Sequence, residues 1–472
     1  MYRLVYIFPA LFCFLPAMAQ NEQKMFWALN GSPSAFTWDN TTGNTRIDNG
    51  SGTWNNTNTT WTFNKGITDL VWRPGATATF GGNPGTGAGG TVTVLGTQAV
   101  QSLVFNPSAS GNFTLTGGTI TNISGLITAN DTATINSTLA GTSGLTLVGT
   151  KLVTITAATT YTGATTVNSG TLVLNNGVAN STVATLSTPI SILAGATLST
   201  DITGNINLSG AISGSGTLSI VNAGAQTLRL YGADSGFAGN FSEPSTTRGM
   251  MWSDNGGAGN AAITGSAAAS WNLSGSFGFI ETAGAATPTV QLGSLSGTNT
   301  ATTLGGFSGS GIKTFQVGAL NTSTTFAGAI QDNPQTTGTP TIALIKVGTG
   351  TLTLSGTNTY SGITTVNAGT LAFTTAVPSS ATWNIAVNAT TTPTSAASGL
   401  ITLPASPGMT GKTVNIVLTG TSTGFTWQAV SWTGFVLIAP TLKINGTTVT
   451  SGIPNAGTTV TFTATSGIKV TR

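Results

Sequence analysis

Chemistry at neutral pH needs groups that titrate, attack or ligate, and this sequence holds few of them. Its 472 residues include no histidine and a single cysteine, Cys13. Ser-His-Asp and Cys-His nucleophile systems are therefore excluded, as are the usual His/Cys metal sites. The acids Glu22, Asp39, Asp48, Asp69, Asp131, Asp201, Asp234, Glu243, Asp254, Glu281 and Asp332 stand singly along the chain. Cleavage of a polysaccharide on a β scaffold needs clustered carboxylates, or calcium-binding Asp groups beside an Arg or Lys base. The densest stretch holds Arg229, Asp234, Glu243, Arg248 and Asp254. Asp234 and Glu243 would form an acid/base pair if a turn brought them together, but a loop-bearing turn with a structural ion pair is the simpler reading. Gly81–Gly90, GGNPGTGAGG, lacks the Lys-Ser/Thr ending of a phosphate-cradling loop and reads as a turn. No catalytic, cofactor-binding or metal-ligating residue is assigned, and the chain is not expected to be an enzyme.

Stability must then come from packing and backbone hydrogen bonds. Only 5% of residues are charged, with 14 Lys/Arg against 11 Asp/Glu. No basic cluster is present to meet phosphates, so nucleic acid is not an expected partner. So few charges cannot supply the charged outer faces of ordinary surface helices. Thr, Ser, Asn and 64 Gly suit strands and tight turns instead. Recurrent Val, Ile, Leu and Phe argue against disorder.

At the start, Arg3 precedes an apolar run from Leu4 to Leu15 that ends in Ala17-Met18-Ala19. This is the pattern of an export signal cleaved between Ala19 and Gln20. The run is too short to span a bilayer, and no integral membrane segment is expected. Residues 1–19 are read as the signal. A Trp-rich segment follows at 20–80, with Trp27, Trp38, Trp54, Trp61 and Trp72. Indole faces can stack on sugar rings, but large apolar side chains also suit the closure of an open strand edge. The N-terminal cap is the preferred reading.

From 81 to 375 short β-prone bursts alternate apolar with small polar residues, the period of a half-buried strand. The clearest is GTLTLSGTNTYSGITTVNAGTLAF, Gly350–Phe373, whose second half matches YTGATTVNSGTLVL, Tyr161–Leu174. Leu352 and Leu354 share one strand face, Thr364 and Val366 another, and Leu371 and Phe373 a third. Val167, Leu172 and Leu174 are the matching core positions of the other copy. Parallel strands need a crossover. Without helices, the other faces of the same coil must supply it, which predicts an all-β, right-handed parallel β-helix. At about 20–25 residues per turn, some 300 residues would make roughly 13 turns. Asn168 and Asn367 occupy equivalent turns and suit either left-handed backbone geometry or a side-chain ladder. After Pro378 the repeat is lost and prolines become frequent. Residues 376–472 are read as a C-terminal β-rich module, a small antiparallel unit or a thickened end of the rod.

Lys346–Leu371, KVGTGTLTLSGTNTYSGITTVNAGTL, resembles the autotransporter-associated β-strand repeat of bacterial passenger domains, with copies at 144–174 and 346–373. The resemblance implies a passenger-like solenoid, exported and displayed or released. A translocator barrel of amphipathic strands would be expected to follow, and Ile468–Arg472 does not read as one. The expected role is a secreted or cell-surface structural or adhesive rod, acting as spacer or contact element. Its location would be extracellular or on the outer surface, with the periplasm as the alternative. Its partners would be extracellular polysaccharide or surface components. A polysaccharide-binding module is the alternative, since Thr91-Val92-Thr93, Thr351-Leu352-Thr353 and Thr461-Phe462-Thr463 have the form of hydroxyl rows. A lyase or hydrolase ranks behind both.

Overall fold

The computed structural model describes residues 34–472 except 42–45, 64–66, 83–86, 158, 175–183, 202–205, 222–226, 232–233, 244–248, 254–262, 283–285, 335–337, 376–377, 379–381, 390–392, 395–397, 406, 433–438 and 454–457. The signal, Ala19, Gln20 and Trp27 lie outside the described residues, as do Arg248 and Asp254. All regular elements among the described residues are strands. None is a helix long and apolar enough to cross a membrane.

The strands stack in parallel on three faces of one coil. On one face Leu115, Ile135, Ile155 and Leu174 follow each other in register. Further on, Leu352 lies on Leu371 and Leu354 on Phe373. A second face carries Leu147 onto Val167 and then Ile192. A third carries Leu186, Leu208, Leu230 and Trp252. Alternation puts every second side chain inward, so these columns fuse into one apolar core running from Phe36 to Val470. The expected all-β solenoid with mainly parallel strands is what forms.

Along the first of these faces, fifteen successive pairings join sixteen strands, from Gly52–Trp54 to Thr426–Ser431. At about 4.8 Å per strand that face is roughly 70 Å long. Turn length varies while register holds. Leu354 meets Phe373, 19 residues on, whereas Asn240 meets Ser270, 30 residues on. Pairing is kept at both spacings.

Parallel stacking continues beyond the second repeat copy: Val366 pairs with Ile385, Ile385 with Ile416, and Ile416 with Ile444. Among the described residues antiparallel pairing enters only at the two ends of the stack. At the N-terminal end Trp61–Thr62 lies antiparallel to both Ala35–Trp38 and Asp69–Leu70. At the other end Gly467–Thr471 is antiparallel to Thr426–Ser431 and to Thr459–Thr463. There too Thr441–Ile444 folds back on Thr447–Val449. This last hairpin turns through Asn445 and Gly446, whose φ angles of 47° and 83° give the two-residue turn that matches strand twist.

Asn168 and Asn367 do not take left-handed geometry. Positive φ falls two residues later in each copy, at Gly170 (73°) and Gly369 (66°). A Cβ on Gly369 would sit 2.4 Å from the Gly348 carbonyl oxygen, so only glycine fits this corner. Both asparagines are exposed and use their backbone N–H to bond the turn before, Asn168 to Leu147 and Asn367 to Lys346.

Because Leu352 is fully enclosed between turns, Leu352→Ala is expected to cost about 2–5 kcal/mol. The measurement is the fall in the urea midpoint relative to the unaltered chain.

Candidate functional site

The repeat copy at 351–373 is one complete turn. Thr351–Leu354 forms one face. The backbone N–H groups of Thr359 and Tyr360 both bond the Ile330 carbonyl on the next face, Thr364–Val366 forms the third, and Gly369–Phe373 returns to the first. Tyr360 spans the corner between Thr359 and Thr364. Its ring is buried and its hydroxyl lies 2.8 Å from the Thr364 hydroxyl. The first copy repeats this pair, with Tyr161 and Thr165 at 2.7 Å. Burial raises both phenols above their ordinary value, and the threonine bond only partly offsets it. The Tyr-x-Gly-x-Thr spacing therefore encodes a corner in which a ring fills the core and its polar tip is satisfied locally.

Two further side chains complete this turn. Asn358 is buried, accepts from the Ile330 N–H at 3.0 Å and donates to the Gly356 carbonyl at 2.8 Å. The Asp332 carboxylate accepts from the N–H groups of Ile342 (2.8 Å) and Ser361 (3.0 and 3.1 Å). All of Leu352, Leu354, Val366, Leu371, Phe373, Val167, Leu172 and Leu174 are buried. Leu352 with Leu371, and Leu354 with Phe373, meet directly, while Val366 stands on another face.

The acid-bearing stretch from Arg229 does not assemble as an open pair. Asp234 and Glu243 are both buried, at 2% and 0% exposure, so neither faces a substrate. Burial pushes the Asp234 carboxyl up to about 6, against a hydrogen bond from the Thr264 hydroxyl at 3.1 Å. The stretch does hold an ion pair, but its acid comes from farther along. Arg229 Nε lies 3.5 Å from Glu281 Oε2, which also accepts from Ser253 Oγ at 2.7 Å. Parallel register brings the partners together, since Arg229 stacks on Met251 and Ser253 on Glu281. Among the described residues no three Asp, Glu, Cys or His side chains come together as metal ligands would.

Beside this ion pair lies a second apolar cluster, outside the main core: Met251, Phe277 and Phe279, with Phe307 against them. Phe277 and Phe279 stack at 4.4 Å. The sequence signal was available, since Ile280 and Phe279 are adjacent apolar residues and one of them must point outward from a strand.

Trp38, Trp54, Trp61 and Trp72 are buried together, with ring centroids 4.6–5.3 Å apart and no face presented to a sugar. The outward hydroxyls behave differently. Thr91 and Thr93 stack in register on Thr114 and Thr116. Farther along, half-exposed Thr171, Thr197 and Thr217 form a row; the row beside it, Val173, Ser199, Ser219 and Ser242, is buried at Val173 and Ser199. Thr351 and Thr353 meet Thr370 and Ala372, so that row is broken. Thr461 faces Lys469 in the antiparallel end.

With this geometry in hand, the comparisons with known proteins are specific to the repeat. The family description Passenger-associated-transport-repeat matches residues 138–174 and 344–373, the two turns that carry the Tyr–Thr corner. The chain is 38% identical over 135 residues to the "Adhesin BmaC autotransporter" of Brucella suis biovar 1 (strain 1330). That stretch is 28% of this chain and 4% of the relative, so the chain spans a small fraction of the relative's length. No solved structure matches. Two turns of the chain thus match the passenger-associated transport repeat, and part of the chain is similar to an autotransporter adhesin.

Two outcomes are expected. Tyr360→Phe leaves the ring and removes its hydroxyl from Thr364, with a cost of about 0.5–1.5 kcal/mol; coupling to Thr364→Val in a double-mutant cycle checks that the pair is the source. Asp234 binds its proton more tightly when folded than when unfolded. Its contribution is therefore present below the ordinary value of 3.8 and is lost as pH rises through about 6. Asp234→Asn should raise stability at pH 7 by up to about 3 kcal/mol and have little effect near pH 3.5, read as thermal midpoints at the two pH values.

Proposed function

We propose that this chain is part of an exported, surface-displayed adhesive rod, a passenger-like solenoid whose function lies in its outer faces and not in a reactive centre. The observation that carries this reading is the transport-repeat turn itself, set in a parallel stack that runs without a break from the Trp-rich end to the antiparallel end. A rigid rod with outward Ser and Thr rows and few charges presents a long contact surface of hydroxyl groups. The adhesin relative supports a surface-contact role, and the burial of Asp234 and Glu243 supports a non-enzymatic one. The buried Trp cluster and its antiparallel strands act as the N-terminal cap of a right-handed coil, because an unpaired parallel edge would otherwise template association. Residues 376–472 serve as the opposite end of the rod.

Polysaccharide is the favoured partner. The half-exposed row Thr171, Thr197 and Thr217 places one hydroxyl per strand across the sheet, a regular line of donors and acceptors.

The test is retention on immobilised polysaccharides, with and without calcium, followed by assay of the eluate. Retention without cleavage is expected. New reducing or unsaturated ends would overturn the non-enzymatic reading. If the chain displayed on a non-adherent bacterium adds no attachment to any glycan or protein surface, the adhesive role fails.

A further inference from the structure

From Asn333 to Arg472 the chain contains no acid but carries Lys346, Lys412, Lys443, Lys469 and Arg472. Two of these cations, together with Lys313 just before them, turn their ammonium groups onto backbone carbonyls. Lys346, 1% exposed, lies at the end of Thr339–Lys346. Its Nζ donates to the carbonyls of Val347 (2.7 Å) and Gly348 (2.8 Å) in its own corner, and to Ala368 (3.2 Å) one turn later. Lys313, fully buried, donates to Ser308 and, 3.2 Å away, to Ile280 in the turn before. Lys412 precedes Thr413–Thr419 and donates at 2.6 Å to Pro378, which precedes the strand stacked below, Thr382–Asn388. All three therefore reach from their own turn to a carbonyl of the neighbouring one, Ala368, Ile280 and Pro378.

We propose that Lys313, Lys346 and Lys412 are corner ties, amines buried at Lys313 and Lys346 and half-buried at Lys412, that lock the register of successive turns through carbonyl oxygens. They do work that disulfides or metal ions perform in other extracellular proteins. The physical case has three parts. Corner carbonyls lie where strand pairing ends, so they need donors from elsewhere. A lysine amine offers three donors on a flexible stem, which suits several carbonyls in an irregular corner. Glycine at the corner makes room for it: a Cβ at Gly369 would lie 2.8 Å from Lys346 Nζ, and one at Gly318 3.3 Å. The nearest acid in sequence, Asp332, is already engaged by the Ile342 and Ser361 amides, so carbonyl dipoles hold the charge.

Native-state hydrogen exchange on the whole chain tests this. Lys346→Met keeps the apolar stem and removes the donors. The amides of Val347, Asn367 and Thr370, which bond across this corner to Val317, Lys346 and Gly350, should then exchange faster by roughly tenfold to a hundredfold. Those around Val153, several turns away, should keep their protection. Chelator and reductant should leave the unaltered chain's pattern unchanged. Unchanged protection at Asn367 and Thr370 in the Met variant would overturn the proposal, as would an equal loss along the entire rod. If Lys346→Met does not fold, Lys412→Met, which removes the bond to the Pro378 carbonyl, reads the same local effect at the neighbouring turns, and no change around Thr441 would count against it.

Discussion

The structure depends on the parallel register between successive turns. An extended chain with almost no charge and no helices has to satisfy a backbone N–H and C=O at nearly every residue. Along the parallel stack the partner is the turn above or below. Leu352 lies on Leu371 and Ile385 on Ile416, so the pairing that satisfies the backbone also assembles the core. A slip of one residue would turn an entire inward row to solvent. Hydrogen bonding and burial thus enforce the same alignment, and neither requires a fixed turn length. That is why turns of 19 and 30 residues coexist in one stack.

Corners carry the remaining difficulty, because the ladder is interrupted there while the chain remains close to its neighbours. Three kinds of solution recur. Glycine at Gly170 and Gly369 takes a left-handed φ where a Cβ would strike the backbone of the adjoining turn. Tyr161 and Tyr360 fill a corner and settle their hydroxyls on Thr165 and Thr364. Asn358, Asp332 and Lys346 supply side-chain acceptors or donors to amides and carbonyls that the ladder cannot reach.

How much of this was legible follows from the same division. Faces were readable, since Leu352, Leu354, Leu371 and Phe373 alternate with small polar residues and the repeat matched Tyr161–Leu174 to Tyr360–Phe373. The carriers of corner geometry were less so. Asn367 resembles a left-handed turn residue, but the chain reaches that conformation at Gly369, because the neighbouring backbone leaves no room for a side chain there. The pairing of Arg229 with Glu281 was hidden because it depends on how many residues separate turns, a quantity set by loops and not by strand pattern. Proline and the loss of the repeat marked a change near 376, yet Thr382–Asn388 and Thr413–Thr419 continue the parallel stack. The repeat consensus describes corners of one kind, while stacking requires only alternation.

A parallel stack always has a problem at its ends, where the last strand would offer free donors and acceptors. Among the described residues the parallel stack is flanked on both sides by strands that reverse direction. Trp61–Thr62 runs antiparallel against Ala35–Trp38 beneath a cluster of four indoles, and Gly467–Thr471 runs antiparallel against Thr426–Ser431. A hairpin can return without the crossover that a parallel strand demands, so a reversal is the shortest way to stop a coil. It follows that the lateral faces are the surfaces on which such a rod can vary its chemistry without disturbing its core. The outward hydroxyl rows and the Arg229–Glu281 side with its separate Phe277–Phe279 cluster already differ from face to face. Passenger-like function in a chain with so few reactive groups is most economically placed there.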